Sequence, residues 1–249
     1  MDSIMKLTLL GLLLAASLPA SAEILSSHCP LGCPTNPETN DLVFHHIYAL
    51  SNNPTTKFAD WVAYEVSPEN YGVSPGRDWK SDPLLDDDET LEEADYKGVN
   101  SSELEADKGH QVPLAAFAGN QYWYELNYLS NITPQDRDLN EGPWEALEEA
   151  VRNAATYTDP LYVISGPLYE RKMANMPKAD EPHVVPSAYY KIVYNSKETV
   201  AFFMDQNSGR KDNYCSKITT VKSVQAKISY QLPALKSGSA DLRDRLGCH

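Results

Sequence analysis

Asp107-Lys108-Gly109-His110-Gln111 is the stretch on which the prediction of fold and site depends. Thirty residues after His110 comes Asn140, followed by Gly142-Pro143-Trp144. Proline favours the first position of a helix, because its missing N–H would have no partner there, so this tripeptide predicts the start of a helix. The spacing predicts one imidazole and one amide side chain within reach of a common site.

The segments around this stretch indicate strands and one amphipathic helix. Apolar runs rich in β-branched and aromatic residues predict strands at Leu42–Leu50, Asp60–Val66, Leu161–Leu168, Ala188–Tyr194 and Thr199–Met204. Helical spacing of apolar residues predicts a helix over 144–151. This order predicts an α+β fold with a central, largely antiparallel sheet flanked by helices.

Residues 67–103 predict an irregular loop between the early strands and the central stretch. The run Asp86–Glu89 within it lacks the alternating spacing of a calcium loop, so we interpret it as a solvated surface turn. His45 and His46 are adjacent on a predicted strand and would point to opposite faces. They cannot both serve one site, and each is expected to be structural.

The first 22 residues have the pattern of a signal peptide. Lys6 precedes an apolar run, and the run is followed by the small-residue motif Ala20-Ser21-Ala22. We therefore predict a signal peptide at 1–22 and a single domain at 23–249, exported to the periplasm or the medium. No later stretch has the roughly 20 apolar residues of a transmembrane helix, so no membrane contact is expected after signal removal.

Four cysteines lie outside the predicted signal, an even number that an oxidising compartment would pair. Three pairings are possible. Pairing Cys29 with Cys33 would pin the new N-terminus, and pairing Cys215 with Cys248 would close a loop of 33 residues. The alternative is a zinc site, since Cys-x3-Cys is near metal spacing, but His28 is the only third ligand nearby.

The formal net charge of −14 argues at first against a polyanionic partner, because lysine and arginine normally supply the affinity for phosphates. Two interpretations remain: either the partner is not a polyanion, or a local cationic cleft acts within an acidic exterior. The central motif favours the second. Distant surface charges are screened beyond about 8 Å at physiological salt, whereas groups that touch phosphate are not. A protein that binds a polyanion through such a cleft should therefore tolerate salt.

The residue types of the central region suit hydrolysis of a phosphodiester. His110 could activate water near neutral pH. Mg²⁺ needs few protein oxygens, so Asn140 could hold it while Glu148 bonds its waters. A guanidinium, from Arg77 or Arg152, could bind phosphate oxygens as charge develops. Taken singly, Asn140 also suits a helix cap, and the charged residues also suit an exposed surface.

Residues 107–152 as a whole closely resemble the DNA/RNA non-specific endonuclease family of ββα-metal nucleases. The resemblance extends back through Arg77-Asp78-Trp79-Lys80-Ser81-Asp82-Pro83 to Cys29 and Cys33, and more weakly to the C-terminal cysteines. It implies an α+β fold with the site on a strand-strand-helix unit. We accordingly expect disulfides Cys29–Cys33 and Cys215–Cys248.

The resemblance also implies roles for individual residues. His110 matches the family's general base, Asn140 its single protein ligand to a hydrated Mg²⁺, and Glu148 the residue that holds the waters of the ion. Mn²⁺ is expected to substitute. Arg77 matches the arginine that stabilises the pentacovalent state, and Asn131 and Arg152 match supporting residues.

Lys108 departs from the family pattern, which has arginine before Gly-His. A lysine offers phosphate a point charge where arginine offers a rigid fork, so a bidentate contact is not expected here. Rate, salt optimum or substrate preference could differ as a result.

The predicted function is a secreted, sugar-non-specific endonuclease that cuts single- and double-stranded DNA and RNA to short 5'-phosphorylated oligonucleotides. The family includes homodimers, so both monomer and homodimer remain open. Two other functions compete with this one. The first is an exported nucleic-acid-binding protein with weak or no turnover, and the second is a phosphodiesterase acting on small nucleotides or lipids.

Overall fold

The computed structural model describes residues 23–249. The signal peptide predicted for residues 1–22 lies outside the described residues. Within 23–249, no helix has the length and apolar character needed to cross a bilayer.

A seven-stranded antiparallel sheet forms the centre of the fold. Its strands, in spatial order, are β1 (Asp41–Phe44), β2 (Ala49–Asn53), β3 (Phe58–Val66), β6 (Leu161–Leu168), β7 (Ala188–Tyr194), β8 (Thr199–Asp205) and β9 (Ile218–Thr219). The α+β prediction with a largely antiparallel sheet is thus confirmed.

A separate two-stranded antiparallel ribbon carries the central motif. It consists of β4 (Ala106–His110) and β5 (Ile132–Asp136), with His110 opposite Ile132. The helices are α1 (Arg137–Leu139), α2 (Glu145–Ala154), α3 (Val221–Gln225) and α4 (Ala240–Arg245). The ribbon followed by α1 and α2 is the strand-strand-helix unit that the resemblance implied.

Both faces of the large sheet are covered, so its strands are buried on both sides. Alternate residues of β3 enter different cores: Val62 and Tyr64 face the core that contains α2, whereas Trp61 and Ala63 face the core that contains Val224 of α3. The sheet therefore fixes the position of α2 on one face of its central strands.

The helix predicted over 144–151 is confirmed and runs slightly longer, as α2. The apolar stripe formed by Leu147 and Val151, together with Trp144 immediately before the helix, is buried against the sheet. A widened helical turn over Asn140–Trp144 precedes it, and Gly142 there departs from helical geometry. A Cβ on Gly142 would lie 2.6 Å from the carbonyl oxygen of Arg210, so only glycine fits at this contact.

The predicted strand Leu42–Leu50 is wrong as one element, because it is a tight hairpin of β1 and β2. The chain reverses at His45–Tyr48, where His45 N–H donates to the Tyr48 carbonyl at 2.9 Å. His45 Nε2 lies 2.8 Å from the buried carboxylate of Asp82, and His46 contacts Glu125. Both histidines are therefore structural, as expected, but they anchor a turn and do not lie on a strand.

The segment 67–103 contains no strand and only short 3-10 turns at Pro68–Asn70 and Val99–Ser101, in agreement with the predicted loop. It is nevertheless fixed in place. Lys80 N–H donates to the Asn127 carbonyl at 3.2 Å, and Leu129 N–H donates to the Lys80 carbonyl at 2.9 Å. Ser130 Oγ donates to Asp82 at 2.5 Å. These contacts attach the segment that carries Arg77 to the chain leading into β5.

Both expected disulfides are present, with Cα–Cα distances of 5.0 Å for Cys29–Cys33 and 5.3 Å for Cys215–Cys248. The zinc alternative at Cys29 and Cys33 is thereby excluded, because neither sulfur is a free thiolate. His28, its proposed third ligand, instead lies with Nε2 3.2 Å from the His45 carbonyl.

Candidate active site

A cleft of about 790 Å³ opens between the β4–β5 ribbon, the segment before β4 and the N-terminal part of α2. Six of the seven residues proposed from the sequence line it: Arg77, Lys108, His110, Asn140, Glu148 and Arg152. These residues are up to 75 positions apart in the sequence, and the fold brings them to one concave surface.

His110 ends β4 and presents its ring to the cleft. Nε2 lies 3.4 Å from Oδ1 of the fully buried Asn127. Because an amide oxygen can only accept, this contact assigns the proton to Nε2 and leaves Nδ1 as a free acceptor. Burial lowers the pKa of His110 to about 4, and the positive charge of Arg77 acts in the same direction. The ring is therefore neutral at neutral pH.

Gly109 leaves space for a neighbouring side chain. A Cβ at this position would lie 2.5 Å from Oε1 of Gln135 on β5. A glycine before a site histidine could in principle permit close approach of a substrate. The structure shows that it permits close packing of Gln135 within the ribbon, which fixes the strand end that carries His110.

Asn127 is a site residue that the sequence analysis missed. Besides its contact with His110, its Nδ2 donates to the Gly76 carbonyl at 3.4 Å, immediately before Arg77. It thus links the imidazole to the arginine segment. The two asparagines of Asn127-Tyr128-Leu129-Ser130-Asn131 were a signal in the sequence, but a role was assigned only to the second.

Asn131 does not line the cleft and is fully buried beneath it. Its Nδ2 donates to the carbonyls of Val112 and Leu126, and its Oδ1 accepts from Val112 N–H at 2.9 Å. The two bonds to Val112 hold the chain two residues after His110, and the third bonds Asn131 to Leu126. Asn131 can therefore support the site without touching a substrate.

Asn140 lies in the widened turn and faces the strand that carries His110. Its Nδ2 donates to Oδ2 of Asp107 at 3.2 Å. With the nitrogen engaged, Oδ1 is left as the oxygen available to a cation, and no residue of the described chain donates to it. Arg137 Nε lies 3.7 Å from the other oxygen of Asp107.

The donor set of the cleft fits a hydrated Mg²⁺. Asn140 offers a neutral amide oxygen, and the cleft also contains the carboxylates of Asp107 and Glu148. Hard oxygen donors of this kind suit Mg²⁺, which keeps several waters and needs few protein ligands. The cleft lining contains no cysteine and one histidine, a composition unlike that of zinc sites.

Glu148 lies one helical turn before Arg152 on α2 and is largely buried. Its Oε1 accepts from Nζ of Lys191 at 2.9 Å, a second residue that the sequence analysis missed. Burial raises the pKa of Glu148, and the positive charge of Lys191 opposes that rise. A lysine within the otherwise apolar run 188–194 was the available signal.

Two cations at the edge of the cleft are paired with carboxylates. Nζ of Lys108 lies 4.9 Å from the ring centroid of Trp79 and 3.2 Å from Oε1 of Glu93. Arg210, which the sequence analysis did not identify, contacts Glu141. Arg77 and Arg152 form no ion pair with any residue in 23–249.

One acidic cluster lies apart from the residues that line the cleft. Carboxylate oxygens of four residues lie within 4.8 Å of one another: Glu92, Asp95, Asp180 and Glu181. Burial and the neighbouring carboxyls Asp95 and Glu181 raise the pKa of Glu92 to about 7.

The fold and the cleft together define a nuclease of the ββα-metal type. A sequence profile of the DNA/RNA non-specific endonuclease family matches residues 26–234, and the chain belongs to this family. The protein is therefore an endonuclease.

Individual relatives agree with this assignment. The chain is 42% identical to a nuclease of Serratia marcescens over 260 aligned positions, which cover 97% of each protein. It is 32% identical to human mitochondrial endonuclease G over 130 positions, 49% of this chain and 41% of that protein. A crystal structure of the EndoG/EndoGI complex matches the fold with a TM-score of 0.68 at 19% identity, covering 82% of this chain and 89% of that one.

Proposed function

We propose that this endonuclease uses one hydrated Mg²⁺ to hydrolyse phosphodiester bonds of single- and double-stranded DNA and RNA to short 5'-phosphorylated oligonucleotides, and that Mn²⁺ can replace Mg²⁺. The observation that supports this most strongly is the cleft itself, where a neutral His110 with a free ring nitrogen and the free amide oxygen of Asn140 line one concave surface.

In this mechanism His110 acts as the base. Its neutral ring accepts a proton from water on Nδ1 while Asn127 holds Nε2. In-line attack on phosphorus follows, and Arg77 and Arg152 offer forked donors to the phosphate oxygens as negative charge builds. Neither arginine has to break an ion pair with a carboxylate of residues 23–249 before it binds phosphate. Lys108 adds a point charge at the edge of the cleft.

Asn140 would hold the Mg²⁺ through Oδ1, and Glu148 would accept hydrogen bonds from the waters around it. When bound, the ion supplies positive charge to the phosphate and to the leaving 3'-oxygen. Asp107 keeps the Asn140 amide turned so that its oxygen faces the cleft. Asn131 holds the chain after His110 and contributes through position alone.

Breadth of substrate follows from the kind of contact available. The cationic groups of the cleft, Arg77, Lys108, Arg152 and Arg210, suit phosphates. Contacts to the backbone carry no direct sequence information, so cleavage without strong sequence preference is expected.

The enzyme should tolerate salt. The chain carries a net charge of −14, and two of its four cleft cations are paired with carboxylates, so few counterions are released on binding.

The protein is exported as a single nuclease domain over 23–249. Its two disulfides suit the periplasm or the medium, where disulfides persist.

The decisive experiment is incubation of the oxidised protein with supercoiled plasmid and with structured RNA, in Mg²⁺, in Mn²⁺ and in chelator. Cleavage of both polymers with either ion, abolished by chelator, is the expected result. DNA binding without nicking under Mg²⁺ and Mn²⁺ would instead identify a binding protein without turnover. Hydrolysis of a chromogenic diester with plasmid left intact would identify a small-molecule phosphodiesterase.

A further inference from the structure

Lys191 occupies an unusual position for a charged residue. It lies in the middle of β7, opposite Ser165 of β6 and Phe202 of β8, and its side chain is fully buried. Lysine is almost never fully buried unless it is paired, because removal of an ammonium from water is costly. A central strand of a sheet covered on both faces would ordinarily carry an apolar residue here.

Side chains alternate between the two faces of β7, and this alternation directs Lys191 toward α2. Tyr189 and Val193, two residues before and after it, belong to the core that contains α2, whereas Tyr190 and Ile192 belong to the opposite core. The side chain of Lys191 therefore points at the underside of α2, from which Glu148 faces the cleft.

Three groups surround the buried ammonium. Nζ donates to Oε1 of Glu148 at 2.9 Å, lies 4.1 Å from the ring centroid of Trp144, and lies 3.5 Å from the hydroxyl of Tyr64. Trp144 and Tyr64 are themselves buried. The ammonium is thus confined to one place, and Glu148 is the carboxylate that balances its charge.

Glu148 is bound on one oxygen only. Lys191 occupies Oε1, and no other side chain or backbone group within 23–249 donates to Oε2. Because Glu148 also lines the cleft, Oε2 is the oxygen left for a ligand there. Three further titratable groups influence this carboxyl: Arg152 and Glu145 on α2, and Tyr64 on β3.

We propose that Lys191 is a positioning residue for catalysis: from beneath the cleft it fixes the orientation of the Glu148 carboxylate and keeps it ionised. This rests on the proposed role of Glu148 in the site. The opposing influences on the carboxyl agree with it, since burial raises the pKa of Glu148 and the charge of Lys191 opposes that rise.

The test compares Lys191→Met, Glu148→Gln and the double variant, with Lys197→Met as control. Lys197 is exposed in the turn after β7, so its variant removes the same group outside the site. Residues that orient a group of the site typically contribute about 10- to 100-fold. We expect Lys191→Met to lose kcat by that factor with little change in KM, and its activity to require a higher pH than the wild type does. Lys197→Met should behave as wild type.

The double variant provides the test if Lys191→Met does not fold, because it also removes the Glu148 carboxylate that Lys191→Met leaves without its partner. It should match Glu148→Gln in kcat. A further loss of more than about threefold, beyond the scatter of independent sites, would overturn the proposal. So would a folded Lys191→Met with wild-type kcat and pH profile.

A measurement that needs no turnover separates this inference from the nuclease proposal. In wild-type protein, ¹³C NMR of the Glu148 carboxyl should show it ionised at pH 7, and ¹⁵N NMR should show a slowly exchanging Lys191 ammonium. In Lys191→Met the carboxyl should titrate at higher pH. A Glu148 titration that is the same in both proteins would overturn the inference, even if the enzyme cleaves plasmid.

Discussion

Nδ2 of Asn140 and Oδ2 of Asp107 lie 3.2 Å apart, which ties the turn before α2 to the strand that carries His110. Asp107 and His110 belong to the same strand, so one hydrogen bond sets the position of the amide relative to the imidazole. The proposed base and the proposed cation ligand line the same cleft, and the bond between Asp107 and Asn140 connects the two elements that carry them.

Loss of the Asp107 carboxylate should weaken the binding of Mg²⁺. In Asp107→Ala the Asn140 amide has no acceptor and is free to turn, so the Mg²⁺ concentration for half-maximal rate should rise about 10- to 100-fold. The measurement is initial rate of plasmid nicking against Mg²⁺ concentration. Asp87→Ala, in the exposed acidic run, is the control. An unchanged Mg²⁺ requirement in Asp107→Ala would contradict this function of the bond.

Replacement of His110 by alanine should lower kcat by about 10²- to 10⁴-fold, the usual contribution of a general base. The same substitution at the exposed C-terminal His249 serves as control and should leave the rate unchanged. Plasmid linearisation in Mg²⁺ measures both, with circular dichroism to verify folding. Digestion at the wild-type rate by His110→Ala would remove His110 from the mechanism.

On the acid side, activity should fall at a lower pH than it would with a histidine of ordinary pKa. An imidazole with the usual pKa of histidine would be protonated, and lost as a base, below about pH 6. Burial lowers the pKa of His110 to about 4, so the ring stays neutral and able to accept a proton until the pH falls through that region. We expect kcat/KM to persist at pH 5.5.

A profile of kcat/KM between pH 4 and 9 checks this expectation. Protonation of Glu148 can also reduce activity as the pH falls, and burial raises the pKa of this carboxyl. Repeating the profile in Glu148→Gln separates the two groups, since the limb that belongs to His110 remains. A midpoint near 6.5 in both proteins would show that the ring is solvated during turnover.

The dependence of binding on salt should steepen in Glu93→Gln. In the wild type, a phosphate that binds Lys108 frees the Glu93 carboxylate, which then attracts a cation from solution and offsets the counterion released from the nucleic acid. Without that carboxylate the slope of log affinity against log salt should become more negative by up to about one unit. Affinity at low salt should rise.

Fluorescence anisotropy with a duplex oligonucleotide in chelator measures this slope without cleavage. Glu103→Gln makes the same change at an exposed carboxylate outside the cleft lining. Equal slopes for Glu93→Gln and Glu103→Gln would mean that Lys108 does not exchange Glu93 for phosphate.

The C-terminal disulfide should contribute more to stability than the N-terminal one. It spans 33 residues, whereas Cys29–Cys33 spans 4. Loop entropy predicts a loss in the free energy of unfolding of about 3 to 4 kcal/mol for the paired serine variant of Cys215 and Cys248, and about 2 kcal/mol for that of Cys29 and Cys33. Urea unfolding measures both losses, and the reverse order would show that native contacts outweigh loop length.

Local patterns in the sequence predicted the regular elements well where both faces of a strand are buried. The apolar runs at 161–168 and 188–194 coincide with β6 and β7, since β-branched and aromatic residues fill a sheet covered on two sides. The run 42–50 misled the prediction, because its apolar residues are divided between two paired strands. At the reversal His45 contacts Asp82, 37 positions away, a partner that local patterns do not reveal.

The sequence by itself determined the residue types of the proposed site, because the spacing from His110 through Asn140 to Glu148 lies within one strand-strand-helix unit whose geometry is local. Only the tertiary structure decided which groups support them. Asn127 meets His110, Asp107 meets Asn140, and Lys191 meets Glu148 from a strand 43 residues further on. Such contacts depend on how the sheet, the ribbon and α2 pack together, and no periodicity along the chain encodes that packing.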